Sequence, residues 1–387
     1  MSGKPKIMTV YGTRPEAIKV APVVSALQND DRFDSVVVST GQHREMLEQV
    51  NKRFGITPDY DMALMRPGQS LNELVSRAIQ GLDPIIDEEK PDVIISQGDT
   101  STAMVAALAG FHKGVKIVHL EAGLRTGNIL SPFPEEANRK IIGQISSLHL
   151  APTNESRENL RRENFRSKNI VVTGNTVIDA LLAASEWDVE FEDSRLEELR
   201  SSDEKLVLVT THRRENLDAM KEIGGAVQDL AKSYPDHLFA LPLHLNPIVR
   251  NAVLPEVEHL TNVIVTDPLP YDQFTALMSR AYLVLTDSGG VQEEAPSLGK
   301  PVLVMRENTE RPEAVVAGTV KLVGTDRNRI VAEAKNLLDQ DAAYTAMANA
   351  VNPYGDGKAA ERTVEAIAEL IGVGERIAEF EPDINKA

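Results

Sequence analysis

The chain has 387 residues, of which 42% are apolar and 26% charged, with a net charge of −17 and no cysteine. That size and apolar content leave room for two globular cores, the acidic balance argues against nucleic acid as the main partner, and the missing thiols exclude disulfides and thiolate metal sites and fit a reducing compartment. No apolar run approaches the length of a membrane span, and Met1-Ser2-Gly3-Lys4-Pro5-Lys6 leads straight into a strand-like segment with no secretory signal in view.

Residues 7–11 read as a first strand, ending in Gly12-Thr13-Arg14-Pro15-Glu16. Pro15 at a helix start and the periodic Ile18, Val20, Ala21 and Val24 predict a helix, with Arg14 and Lys19 flanking its N-terminus. A second strand, 36–38, ends in Thr40-Gly41-Gln42-His43-Arg44, and a polar loop around Arg66-Pro67-Gly68-Gln69 leads into a helix to about residue 89. Residues 93–95 form a strand ending in Gln97-Gly98-Asp99-Thr100-Ser101, followed by an Ala-rich helix. Residues 116–120 form another, ending in Glu121-Ala122-Gly123-Leu124-Arg125, and 148–151 and 170–173 are further strands. The charged stretch 187–204 reads as linker-like or peripheral. The pattern then restarts with a strand at 206–210 that ends in Thr211-His212-Arg213-Arg214-Glu215-Asn216. Strands near 238–243, 263–266, 283–285, 302–304 and 320–323 follow, and an amphipathic helix over about 359–371 closes the series. Strands alternating with helices predict an α/β protein of two doubly wound domains, whose ligands bind beyond the carboxyl ends of the strands.

The most informative stretch is 283–303. It predicts a buried strand, the capping residues Asp287 and Ser288, the close-approach pair Gly289-Gly290, a short helix, and Gly299 as its stop. Unpaired amides and a positive dipole end favour an anion at Ser288 to Gly290. Glu293 and Glu294, about one turn further in, suit sugar hydroxyls better than phosphate. That order fits a diphosphate joined to a ribose.

Other polar residues also follow strands: Arg14, Lys19, Gln42, His43, Asp99, Glu121, Arg125, His212, Arg213 and His244. Gly12 to Lys19 and Thr211 to Arg214 join Ser288 to Gly290 as anion-binding places, and Glu307 to Arg311 adds a fourth. The acids come mainly from the first half: Asp99, Glu121 and the Glu135-Glu136 pair. Acids beside anion binders suggest proton transfer next to a phosphorylated leaving group. No Gly-x-Gly-x-x-Gly follows the first strand, and no Gly-x-x-x-x-Gly-Lys-Ser/Thr occurs, so neither a nicotinamide cofactor nor P-loop chemistry is supported. His43, His112, His119, His212 and His244 show no His-x-x-x-His spacing, so no metal and no other cofactor is expected.

Seven blocks occur in a fixed order: Gly12-Thr-Arg-Pro-Glu-Ala-Ile-Lys19, Gln97-Gly-Asp-Thr100, Glu121-Ala-Gly-Leu-Arg-Thr126, Pro134-Glu-Glu-Ala-Asn-Arg139, Gly174-Asn-Thr176, Thr211-His-Arg-Arg-Glu-Asn216 and Thr286-Asp-Ser-Gly-Gly-Val-Gln-Glu-Glu294. In them the chain resembles the non-hydrolysing bacterial UDP-N-acetylglucosamine 2-epimerases, from about residue 6 to about residue 372. The resemblance implies a GT-B fold, two Rossmann-like domains with an interdomain active-site cleft. The first would span 1–175, completed by a C-terminal helix within about 359–387, and the second, UDP-binding domain 176–358. It implies interconversion of UDP-GlcNAc and UDP-ManNAc by a cytoplasmic homodimer, through elimination of UDP to a 2-acetamidoglucal. By resemblance, Asp99, Glu121, Glu135 and His212 form the catalytic set. Arg14, Lys19, Ser288, Gly289 and Gly290 bind the UDP phosphates, Glu294 the ribose, and Arg311 a neighbouring phosphate or sugar group. Gln42, Arg66, Gln69, Arg213 and His244 would line a second, allosteric UDP-GlcNAc site. Glu45 stands where some members of the family have Gln.

Overall fold

In the computed structural model, residues 3–41, 44–66 and 68–382 are described. They divide into two compact units, unit 1 within residues 3–180 with 354–381, and unit 2 within residues 181–353 with 382.

Unit 1 is built on β1 (Lys6–Tyr11), β2 (Asp34–Ser39), β3 (Tyr60–Asp61), β4 (Val93–Gln97), β5 (Lys116–Leu120), β6 (Leu148–Ala151) and β7 (Ile170–Val172). They form one sheet in the order β3-β2-β1-β4-β5-β6-β7. Every pairing is parallel. Helices cover the faces of such a sheet, so central strands are buried on both sides and read as unbroken apolar runs; all of β4 is buried. The edge strand β3 has too few residues to carry a periodic signal, and the sequence reading omits it.

The first helix, Arg14–Gln28, starts on a capping box: the Thr13 hydroxyl accepts from the Glu16 amide while the Glu16 carboxylate turns back towards the cap. The helix Ala359–Ile371 packs against it. The Arg32 guanidinium grips Glu365 with two bonds of 2.9 and 2.6 Å, and the Phe380 amide donates to the Val172 carbonyl at 2.8 Å. Lys358 offers no side-chain cap to that last helix. Asp179 takes the part, accepting from the amides of Ala359 and Ala360 at 3.2 and 2.8 Å.

Unit 2 is built on β8 (Leu206–Thr210), β9 (Leu238–Pro242), β10 (Val263–Thr266), β11 (Leu283–Thr286), β12 (Val302–Val304) and β13 (Val320–Leu322), ordered β10-β9-β8-β11-β12-β13. This is the dinucleotide-fold order 3-2-1-4-5-6. The core packs Val207, Val209, Leu283 and Leu285 against Ile223, Val227 and Leu230 of the helix Met220–Ser233. Two doubly wound parallel sheets, one in each unit, make this a GT-B fold.

One expectation needs correction. The stretch 187–204 is peripheral, as one of the two readings has it, but not a linker: it belongs to unit 2, where Val189, Leu196 and Leu199 are buried and Ser194–Glu198 is a short helix. Arg280 donates to the carbonyls of Leu199, Ser202 and Glu204. The abundance of charge concealed three well-spaced apolar anchors.

Candidate active site

In a doubly wound sheet the order reverses at one point, and the loops leaving the two strands there diverge to open a crevice. In unit 1 that point lies between β1 and β4. Gly12 follows β1 because a Cβ there would come within 2.2 Å of the Thr40 hydroxyl and 2.7 Å of the Thr102 hydroxyl. The amides of Gly12 and Thr13 both donate to Glu16, at 3.0 and 2.7 Å. The Thr100 hydroxyl donates to the other Glu16 oxygen. Burial pushes the Glu16 carboxyl up, against four hydrogen bonds that favour its charge. The start of this helix is thus occupied by an internal carboxylate. An anion at Gly12 to Lys19 would have to be held by the Arg14 side chain rather than by these amides.

Two carboxylates stand at the ends of neighbouring strands. Glu121 follows β5 in a left-handed conformation, φ 65°, and its side chain is 9% exposed. It accepts from Lys19 Nζ at 2.5 Å, Gln97 Nε2 at 2.6 Å and Asn175 Nδ2 at 3.4 Å. Lys19, expected on phosphate, thus lies against the Glu121 carboxylate. Asp99, beyond β4, accepts from Arg139 Nε at 2.9 Å and lies 2.6 Å from its Nη2. Asn138 holds the Asp99 backbone carbonyl at 2.8 Å. Arg139 is itself braced by the fully buried Glu136 at 2.9 Å. Glu135 opens the helix Glu135–Ile145, and its Oε2 is buried with no hydrogen-bond partner among the described residues. Arg125, by contrast, faces Glu163 through two 2.8 Å bonds and belongs to the scaffold.

In unit 2 the order reverses between β8 and β11, whose ends are joined by a 2.6 Å bond between the Thr210 and Thr286 hydroxyls. Asp287 comes next and is completely buried. It accepts from the Thr211 hydroxyl at 2.9 Å, from the amides of His212 and Arg213 at about 3 Å, and from Asn216 Nδ2 at 3.2 Å. His212 Nδ1 lies 3.2 Å from its Oδ1. The His212 ring stacks on that of His244, centroids 6.1 Å apart, and His244 Nδ1 accepts from the Asn246 amide.

Ser288 is the N-cap of the helix Gly289–Glu294, and its side chain makes no cap bond. A Cβ on Gly289 would come within 2.5 Å of Arg311 Nη1 and 3.1 Å of Arg213 Nη2, so two guanidinium groups lie against this turn. Arg311 is fixed by Glu293 at 2.5 Å. Of the expected acidic pair, Glu293 is therefore engaged, while the half-buried Glu294 lies beside Gly290. Arg306 pairs with Glu310, holding that carboxyl down at about 2, and the same carboxylate lies 3.7 Å from Arg311 and 4.0 Å from Arg213.

The residues expected at a second ligand site divide between the units. Arg66 and Gln69 line an open groove of about 430 Å³ with Asn72, Ser76 and Arg77, and Arg77 donates to Gln69 Oε1 at 3.0 Å. Arg213 and His244 lie beside the unit 2 turn. Gln42 is outside the described residues, as is His43. Asp287 and Arg139 are the participants that the sequence reading passed over. Asp287 reads there as a capping residue, although a buried acid at the end of a central strand is itself a signal. Arg139 is hidden in a charged motif.

A family model described as UDP-N-acetylglucosamine 2-epimerase matches residues 25–368. The chain is 52% identical over 369 residues to the UDP-N-acetylglucosamine 2-epimerase of Escherichia coli strain K12, covering 94% of this chain and 98% of that one. Among solved structures it resembles a putative UDP-N-acetylglucosamine 2-epimerase from Listeria monocytogenes, with TM-score 0.93, 43% identity, and coverage of 98% of this chain and 100% of that one. It also resembles the enzyme from Neisseria meningitidis bound to UDP-GlcNAc, with TM-score 0.83, 45% identity, and coverage of 94% and 100%.

Proposed function

The chain belongs to the UDP-N-acetylglucosamine 2-epimerase family of enzymes, and from that premise we propose that it interconverts UDP-GlcNAc and UDP-ManNAc by eliminating and readding UDP, without net hydrolysis. The sugar C2 proton is not next to a carbonyl, so direct abstraction is very slow. Elimination avoids that: a base takes the C2 proton, the C1–O bond breaks, and UDP leaves a 2-acetamidoglucal. Readdition delivers a proton to the other face of C2 and re-forms the C1–O bond. Asp99, Glu121 and His212 handle these protons, with Glu135 close by. Ser288, Gly289, Gly290, Arg14 and Arg311 hold the diphosphate, which must stay bound between the two half-reactions, and Glu294 holds the ribose. Lys19, set against Glu121, serves the acid rather than the phosphate.

The observation that carries this reading is the pair of carboxylates at the ends of β4 and β5, each held by a cation, Asp99 by Arg139 and Glu121 by Lys19. Binding alone would need no braced acids there. The Neisseria meningitidis relative, crystallised with UDP-GlcNAc, supports the substrate. The same reading makes the protein a cytoplasmic homodimer that supplies UDP-ManNAc for cell-surface polysaccharide. Gln42, Arg66, Gln69, Arg213 and His244 then bind an activating UDP-GlcNAc. Proton NMR of UDP-GlcNAc incubated with the protein in D2O tests the reaction. Deuterium at C2 of both epimers, with UDP-ManNAc as product and no NAD or metal added, is expected. Free ManNAc with UDP, or a retained C2 proton, refutes it.

A further inference from the structure

Asp287 has more partners than a loop staple needs. The Thr211 hydroxyl, the His212 and Arg213 amides and Asn216 already fix the turn after β8 around it. A carboxylate with those donors would hold the loop with no imidazole among them. Yet His212 Nδ1 lies 3.2 Å from Oδ1, and the His212 side chain is 42% exposed while Asp287 is fully buried. The His244 ring lies beside it and nearly parallel, centroids 6.1 Å apart.

We propose that Asp287 is the positioning residue of His212: it takes the Nδ1–H, fixes the tautomer that leaves a lone pair on Nε2, and turns Nε2 outward for proton transfer. This rests on the reading of His212 as an acid/base group. When Nε2 accepts a proton, the ring becomes an imidazolium whose charge faces the Asp287 carboxylate. When Nε2 gives the proton up, the Nδ1–H stays where it was. Burial pushes the Asp287 carboxyl up, but the bonds from His212 and from the two amides outweigh it and hold the group below its ordinary value. It thus remains the charged acceptor that an imidazolium needs. The arrangement has the logic of the buried aspartate in serine hydrolases, where the acid orients and stabilises the imidazole without itself taking the proton.

The test compares Asp287→Asn, His212→Asn and the double variant, with turnover read by NMR of UDP-GlcNAc and UDP affinity by calorimetry. The amide is isosteric but favours the opposite tautomer. Asp287→Asn is expected to lower kcat by about 100-fold or more with UDP affinity within about threefold. In the His212→Asn background it is expected to cause no further loss beyond about twofold. Losses that multiply would overturn the proposal, since they mean that Asp287 acts through the loop and not through His212. Full turnover in His212→Asn would instead refute the acid/base reading of His212 itself. Should Asp287→Asn not fold, nitrogen-15 NMR of the unaltered enzyme decides: a proton on Nδ1 of His212 is expected, and a neutral ring protonated on Nε2 overturns the assignment.

Discussion

Two neutral histidines in the unit 1 sheet should make that unit acid-sensitive. His119 on β5 and His149 on β6 are register partners, and each is 1% exposed. His119 Nε2 donates to the Gly98 carbonyl at 2.7 Å, so its Nδ1 carries no proton; that atom and His149 Nδ1 are buried without hydrogen-bond partners among the described residues. Burial pushes His119 down to about 4 and His149 to about 3. An unfolded chain takes up a proton on each near pH 6.5, whereas the folded chain resists, so their contribution to stability is complete above that value and is lost as the pH falls towards 4 and 3. Between pH 7 and pH 5 the loss is about 2 kcal/mol for each histidine. Asp179 acts in the opposite direction. Burial pushes its carboxyl up to about 6, so it returns about 1 kcal/mol over the same interval. The net expectation from the three groups is a loss of about 2 to 3 kcal/mol, or a little under 1 M in urea midpoint at a slope of about 3 kcal/mol per molar. The assay is urea unfolding at both pH values by far-UV circular dichroism, with the fluorescence of Trp187, the sole tryptophan, reporting unit 2. In the variant His119→Gln/His149→Asn, where the glutamine keeps a donor for Gly98, most of the pH 5 loss should vanish. A variant as acid-sensitive as the parent would refute the argument.

Asp99→Asn and Glu121→Gln should each cut turnover by at least about 100-fold while UDP binding measured by calorimetry stays near normal; an equal loss of UDP affinity would place these acids at the phosphates. Gly289→Ala should leave the melting temperature within about 2 °C, because the clashing atoms are the far ends of Arg311 and Arg213 side chains, yet weaken UDP by about 10-fold or more through their displacement. Unchanged UDP affinity would move the phosphate site away from this turn. Gln69→Ala should flatten a sigmoidal rate dependence on UDP-GlcNAc without altering UDP affinity, and hyperbolic kinetics in the parent protein would remove the second site altogether.

What the residues determine by themselves is local. Apolar runs of strand length, capping residues and glycine stops specify β1, β4, β8 and β11 and the turns after them, because burial on both faces and helix capping act over a few residues. The Ser288 to Gly290 turn with its stop at Gly299, left-handed at φ 67°, could be read directly. So could the membership of Asp99, Glu121 and His212 in strand-end loops. The partner of each group is a different matter, since it depends on which strands the sheet order makes neighbours. Glu121 meets Lys19 across 102 positions, Asp99 meets Arg139 across 40, and His212 meets Asp287 across 75. No short-range periodicity encodes those distances. A side chain's chemistry is fixed by its type, but its charge partner, its tautomer and its direction are set by what the tertiary fold puts within 3 Å of it, and in low-dielectric surroundings those neighbours dominate.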